Sequence, residues 1–218
     1  MASTFKTLLN DDVVNTRTLL HEAIPITGTI ASGTYDDKNI KTFSHGLFES
    51  VYDYPFLSSS ANHIFDLTYG CSSNASSSAN VQNAKKMNIY NQMAQVLMGY
   101  DTSGSIRKFD SDGTLDDDGE GTMDHCFFIN FSRLLVKDEI KKGSFKLNLF
   151  LSGTVEGDGS GRGGSKLIGD YAATNEFRTS PAGDYGLLFS SSADTAGSDS
   201  IGLIFYQAGV AVLTSSIF

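Results

Sequence analysis

Tryptophan is absent, proline occurs three times and cysteine twice in 218 residues. Two cysteines, Cys71 and Cys126, form one disulfide at most, so neither a disulfide framework nor a four-cysteine zinc site is available. Basic residues are also scarce, 16 Lys and Arg against 25 Asp and Glu. The resulting net charge of −9, with basic residues scattered, argues against a nucleic-acid binder, which needs a clustered basic face. No window reaches the ~20 apolar residues of a membrane-spanning helix. The start, MASTFKTLLNDDVV, lacks the apolar core of a secretory signal, so export by that route is not expected.

Glycine, by contrast, occurs 22 times, and serine and threonine are plentiful. Such a composition suits many strands joined by small-residue turns. The expected fold is mainly β (α+β), an antiparallel, sandwich-like sheet domain spanning residues 1–218. It carries one long helix over about 81–98 and a short N-terminal helix within 8–24, ended by Pro25. The long helix has Asn80 as its N-cap and Gly99 as its stop. Met87, Tyr90, Ala94, Leu97 and Met98 make its apolar stripe, and Ile89, Met93 and Val96 widen it, which predicts burial on more than one side.

Strand signals lie at ITGTIASGTY, at His63–Tyr69, from Cys126 to Val136, from Ser144 to Leu151, at Tyr185–Ser190 and through Ile201–Ile217. The alternation of Phe145, Leu147, Leu149 and Leu151 is the cleanest of these. Residues 71–80 read as a small-residue loop, 110–121 as an acidic turn region, and 153–169, with seven glycines, as a surface loop.

The candidate chemistry is thin. Gly159-Ser160-Gly161-Arg162-Gly163-Gly164 matches a dinucleotide fingerprint formally, but no helix pattern follows it. The acidic stretch Asp110, Asp112, Asp116, Asp117, Asp118 and Glu120 raises the question of calcium, yet Leu115 stands where an EF-hand loop needs glycine. His21, His45, His63 and His125 show no metal-binding spacing, and no serine sits in a nucleophile elbow. Adjacent His125 and Cys126 face opposite sides of a strand, so they form no nucleophile–base pair. No enzyme, cofactor or metal site is expected. The only carboxylates set among aromatics, Glu49, Asp53 and Asp66, keep a glycan hydrolase as a remote rival.

The most informative stretch is the uncharged run from Ile201 to Phe218. It reads as a closing strand pair that either seals the core or seats the chain against another subunit. Two sets of residues are the interface candidates: Ile204, Phe205, Tyr206, Val212, Ile217 and Phe218 from this run, and Tyr52, Tyr54 and Phe56 from the aromatic segment 43–70.

Several phrases, among them TRTLLHEAIPITGTIASGTY, FSHGLFESVYDYPFLSSSANHIFDLTYG, QNAKKMNIYNQMAQVLMGYD, FINFSRLLVKDEIKKGSF and GLIFYQAGVAVLTSSIF, resemble virion structural proteins of T4-like cyanophages, which have contractile tails. The resemblance covers about residues 1–150 and 178–218. It implies no catalytic residues. It implies a non-enzymatic virion part of the tail, baseplate or neck, or a fibre-attachment module, assembled with copies of itself and other virion proteins, with no nucleic acid and no membrane insertion. Its place would be the virion, assembled in the host cytoplasm. A capsid decoration or collar protein is the nearest alternative. A receptor- or carbohydrate-binding adhesin using the tyrosines of 52–69 in an exposed groove is the rival of a different class.

Overall fold

The computed structural model describes residues 23–24, 38–75, 80–114, 121–132, 138–150, 165–192 and 200–217. The strands are β1 (Ala23–Ile24), β2 (Ile40–Thr42), β3 (Phe48–Tyr52), β4 (His63–Cys71), β5 (His125–Phe131), β6 (Glu139–Ile140), β7 (Lys146–Phe150), β8 (Ser165–Gly169), β9 (Arg178–Ser180), β10 (Gly183–Phe189), β11 (Ser200–Phe205) and β12 (Val210–Thr214), with one helix, α1 (Val81–Leu97). The class is mainly β, as the composition predicts. Ten strands form one sheet along the path β2-β3-β4-β5-β12-β11-β10-β8-β7, with β9 also paired to β10, and every pairing in it is antiparallel. Strands β1 and β6 form a separate parallel pair.

The sandwich-like character comes from this sheet folding over itself. Strands β5 and β7 are five strand spacings apart along the path, roughly 24 Å in a flat sheet at about 4.8 Å per step. Yet the Phe131 ring in β5 meets the Phe145 ring, just before β7, at a centroid distance of 5.9 Å. The fold occurs where β8 joins β10 through the single pair Phe189–Gly169. The central strands are therefore covered on both faces. On one face Phe128, Phe205 and Val212 of the sheet pack with Phe109 and with Tyr90 and Leu97 of α1. On the other, Ile129, Ile204 and Leu213 pack with Ile140, with Phe145 just before β7 and with Ile168 of β8 in the returning β7–β8 hairpin.

The Asn80 side chain caps α1 by accepting from the Gln82 N–H at 2.8 Å. Gly99, at φ +78°, ends the helix in the left-handed region, as the sequence predicts. Tyr90, Ala94 and Leu97 face the sheet, but Val96 is 63% exposed and Val81 71%. The expected burial on more than one side is thus corrected: α1 lies on the sheet with one face, and its far side meets solvent.

Gly70 in β4 sets the helix-to-sheet distance. A Cβ there would stand 2.8 Å from the Tyr90 backbone nitrogen and 3.1 Å from Phe128 Cε2. Gly70 has an ordinary backbone conformation, so Gly70→Ala would on entropic grounds stabilise by about 0.4–1 kcal/mol. We expect the opposite sign, a loss of about 1–3 kcal/mol, because backbone must move to admit the methyl. The urea midpoint measures it, and a raised midpoint would show that α1 does not rest on Gly70.

Several local expectations change. Ala23–Ile24, read as the end of a helix, form β1 on β6, and β6 itself lies between the two strands expected at Cys126–Val136 and Ser144–Leu151. Residues 8–22 of that helix, and the whole of ITGTIASGTY, lie outside the described residues. The strand from Cys126 stops at Phe131, and 133–137 lie outside. The Gly-rich loop ends earlier than expected: Ser165–Gly169 pair with β7 as β8, with Ile168 fully buried, while 153–164 lie outside.

Candidate functional site

Neighbouring residues on a strand face opposite sides, and this separates most of the candidate chemistry. Glu49 pairs with Leu67, whereas Asp66 pairs with Ser50, so Glu49 and Asp66 lie on opposite faces and cannot act as a carboxylate pair. Asp53 is committed to Asn62, accepting from its backbone N–H at 2.6 Å and its side-chain amide at 2.8 Å. Asp66 Oδ1 accepts from Ser50 Oγ at 2.5 Å and meets His63 Nε2 at 2.8 Å. Serine and histidine both end on the same carboxylate oxygen, and no hydrogen bond joins them to each other, so the trio lacks the nucleophile–base link.

The thiols are equally inert. Cys126 pairs with Gly70 and Cys71 with His125, which puts the two sulfurs on opposite faces of β4–β5 and leaves both as free, buried cysteines. Burial pushes both thiols up, Cys126 further than Cys71, so neither presents a thiolate. Burial likewise raises Asp170, against hydrogen bonds from the Gly143 and Phe145 N–H groups and Tyr206 Oη, which hold it in the core.

Among the described residues, no three His, Cys, Asp or Glu side chains gather to hold a metal. In the acidic region, Asp110 accepts from the Asp112 N–H and Asp112 from the Thr114 N–H, each closing a turn. Residues 115–120 and the formal dinucleotide fingerprint lie outside the described residues.

The interface candidates divide. Ile204, Phe205, Tyr206 and Val212 are fully buried within this chain, and Ile217 is nearly so. Strands β11 and β12 sit mid-sheet, and both of their faces are covered. An interface role for these side chains is therefore corrected to a role in the core; Phe218 lies outside the described residues. Tyr52 and Phe56 are half-buried, with ring centroids 6.3 Å apart. Tyr54 is 41% exposed, and Leu57, which the sequence reading passed over, is 88% exposed.

The loop holding Tyr54 and Leu57 is tightly clamped. The Asp53 N–H donates to the Asn62 carbonyl at 3.1 Å, closing the loop that the two Asp53–Asn62 side-chain bonds also close. The Phe56 N–H donates to the Lys38 carbonyl at 2.8 Å, and the Ser58 N–H to the Pro55 carbonyl at 2.8 Å. From beneath, the buried Asn39 side chain donates to the Tyr52 and Asp53 carbonyls. Desolvation raises the Asp53 carboxyl, but the hydrogen bonds from Asn62 and the local backbone outweigh it and hold it below the usual carboxylate range. A fixed loop thus presents two large apolar side chains to solvent.

At the opposite end of β3, the β2–β3 hairpin tip stacks Phe43 on His45 at 5.2 Å and brings Phe48 within 4.8 Å of Phe43. Phe48 borders a recess beneath α1. The aromatic density of 43–70 marks this region in the sequence, but the pairing of Phe48 with helix residues has no signal in local pattern. Comparisons of the chain with protein-family models, curated protein sequences and solved structures return no match.

Proposed function

We propose that this chain is a non-enzymatic structural subunit of a phage virion, of the tail, baseplate or neck or a fibre-attachment module, assembling through apolar protein–protein contacts. The resemblance in sequence supplies the virion setting. The clamped loop 53–62 carries the assembly argument: Tyr54 and Leu57 stand out from a backbone already fixed by hydrogen bonds. Binding through such a loop spares the cost of ordering its backbone, about 1–2 kcal/mol for each residue already fixed. Large apolar side chains on a preorganised loop suit the anchor positions of an interface. Capsid decoration or collar placement differs only in the partner that receives this loop.

The test is the double variant Tyr54→Ser, Leu57→Asp. Both side chains are exposed, so its stability should stay within about 0.5 kcal/mol of the parent. Its self-association in light scattering, or its incorporation into particles, should fall by about 2–4 kcal/mol of interaction free energy. Unchanged assembly with unchanged folding would remove the loop from the interface.

A further inference from the structure

The recess beneath α1 has a floor of two cross-strand rows. Of the row Ser50, Asp66 and Asn130 across β3, β4 and β5, Asp66 and Asn130 line the recess, and of the next row, Phe48, Thr68 and Phe128, Phe48 and Thr68 do; Ser50 and Phe128 are buried. The roof is Ile89, Gln92 and Met93, which share one side of α1 at helical spacing. The recess, open to solvent, has a volume of about 270 Å³. A neighbouring recess of about 220 Å³ shares Leu47, Phe48, Thr68 and Ile89 with it and leads on towards Lys85 and Lys86.

Asp66 is held in place but not used up. Ser50 and His63 hold Asp66 by Oδ1, which leaves Oδ2 without a partner among the described residues. The amides of Asn130 and Gln92 also have no hydrogen-bond partner among the described residues. The Phe48 ring is 37% exposed and is braced by Phe43 at 4.8 Å and His45 at 5.0 Å. Thr68 Oγ1 donates to the Leu47 carbonyl at 2.5 Å and fixes the hairpin tip against β4.

We propose that this recess binds a saccharide ring, with Phe48 under the ring's apolar C–H face and Asp66 and Asn130 on its hydroxyl groups. A hydroxyl both donates and accepts, and so does a carboxamide beside a carboxylate. An ammonium ligand only donates and would leave the amide donors of Asn130 and Gln92 unanswered. An anion only accepts and would face Asp66. A purely aliphatic ligand would strand both Asp66 and Asn130 away from water, an unfavourable exchange for each group. The volume lies just under the lower end of small-ligand sites, about 300 Å³, which fits one ring with continuation into the neighbouring recess. The aromatic involved is Phe48, not the tyrosines of 52–69 that the sequence suggested for a groove. The site also stands at the opposite end of β3 from Tyr54 and Leu57, so it is independent of the assembly loop.

The full chain labelled with ¹³C-methyl methionine is titrated with maltotriose, cellotriose and mannotriose, and the Met93 resonance is followed. At least one trisaccharide should shift it saturably. Phe48→Ala and Asn130→Ala should each raise that Kd about tenfold, the loss of one good contact, while melting as the parent does. The proposal is overturned by the absence of saturation up to about 10 mM with all three sugars, by a Kd unchanged in both variants, or by spermidine binding more tightly than every sugar. None of these outcomes bears on assembly through Tyr54 and Leu57, so the two readings fail separately.

Discussion

Lys142→Ala is expected to lower the unfolding free energy by about 3 kcal/mol, the lower end of the range for breaking a buried ion pair from one side. The Lys142 ammonium lies 3.0 Å from Asp184 Oδ2, with the two side chains 20% and 2% exposed. Its charge also sits 4.6 Å from the Phe177 ring centroid and 5.3 Å from that of Tyr206. Removing it leaves the Asp184 carboxylate in the core with a weaker set of partners, of which Thr179 Oγ1 at 3.4 Å is one. Lys142→Met, which restores the stem but not the charge, should cost nearly as much. Urea unfolding of both variants reads the effect. A loss below about 1 kcal/mol would place the pair with solvent-screened surface bridges instead.

Phe109→Ala should cost about 3–5 kcal/mol, the usual range for emptying a fully buried aromatic position. Phe109 is 0% exposed and meets Tyr90 at 5.4 Å, Phe128 at 5.5 Å and Phe205 at 6.4 Å between ring centroids. It thereby joins α1, β5 and β11 from a segment that is neither helix nor strand. Its backbone is part of the same joint: the Phe109 N–H donates to Tyr90 Oη, which donates to the Met123 carbonyl, and the Met123 N–H donates back to the Phe109 carbonyl. Hydrogen exchange should therefore lose protection first at Phe109 and Met123. A variant with a normal midpoint and normal exchange would mean that the surrounding rings close the cavity.

The joint at Phe109 shows what local pattern does and does not reveal. Helix α1 was legible because its signals are local: a capping Asn80, a terminating Gly99 and a run of good helix formers between them. Strand β7 was legible from period-2 alternation. Strands β11 and β12 were legible as strands, but their place was not. An uncharged run is what a mid-sheet strand covered on both faces requires, and it is equally what an interface strand requires. Only the insertion of β12 between β5 and β11 decides for the core. Strand β8 was missed because its five residues carry little propensity and are organised by pairing with β7. Leu57 was missed because one leucine among serines has no period. In the recess beneath α1, Phe48, Asp66 and Asn130 come from three strands and Met93 from the helix, so no stretch of chain contains the site.

The position of β12 also has a consequence for synthesis. Strand β5 is complete once Phe131 has emerged, but the strand that pairs its far edge begins at Val210. Until then the growing chain carries an unpaired β5 edge beside an uncovered apolar face. Open edges of this kind invite pairing with other chains, and contacts so distant along the sequence form slowly. Nascent chains crowded on one message would thus be at greatest risk of mispairing between the emergence of Phe131 and that of Thr214, an interval in which a holding chaperone would raise the yield of folded subunit.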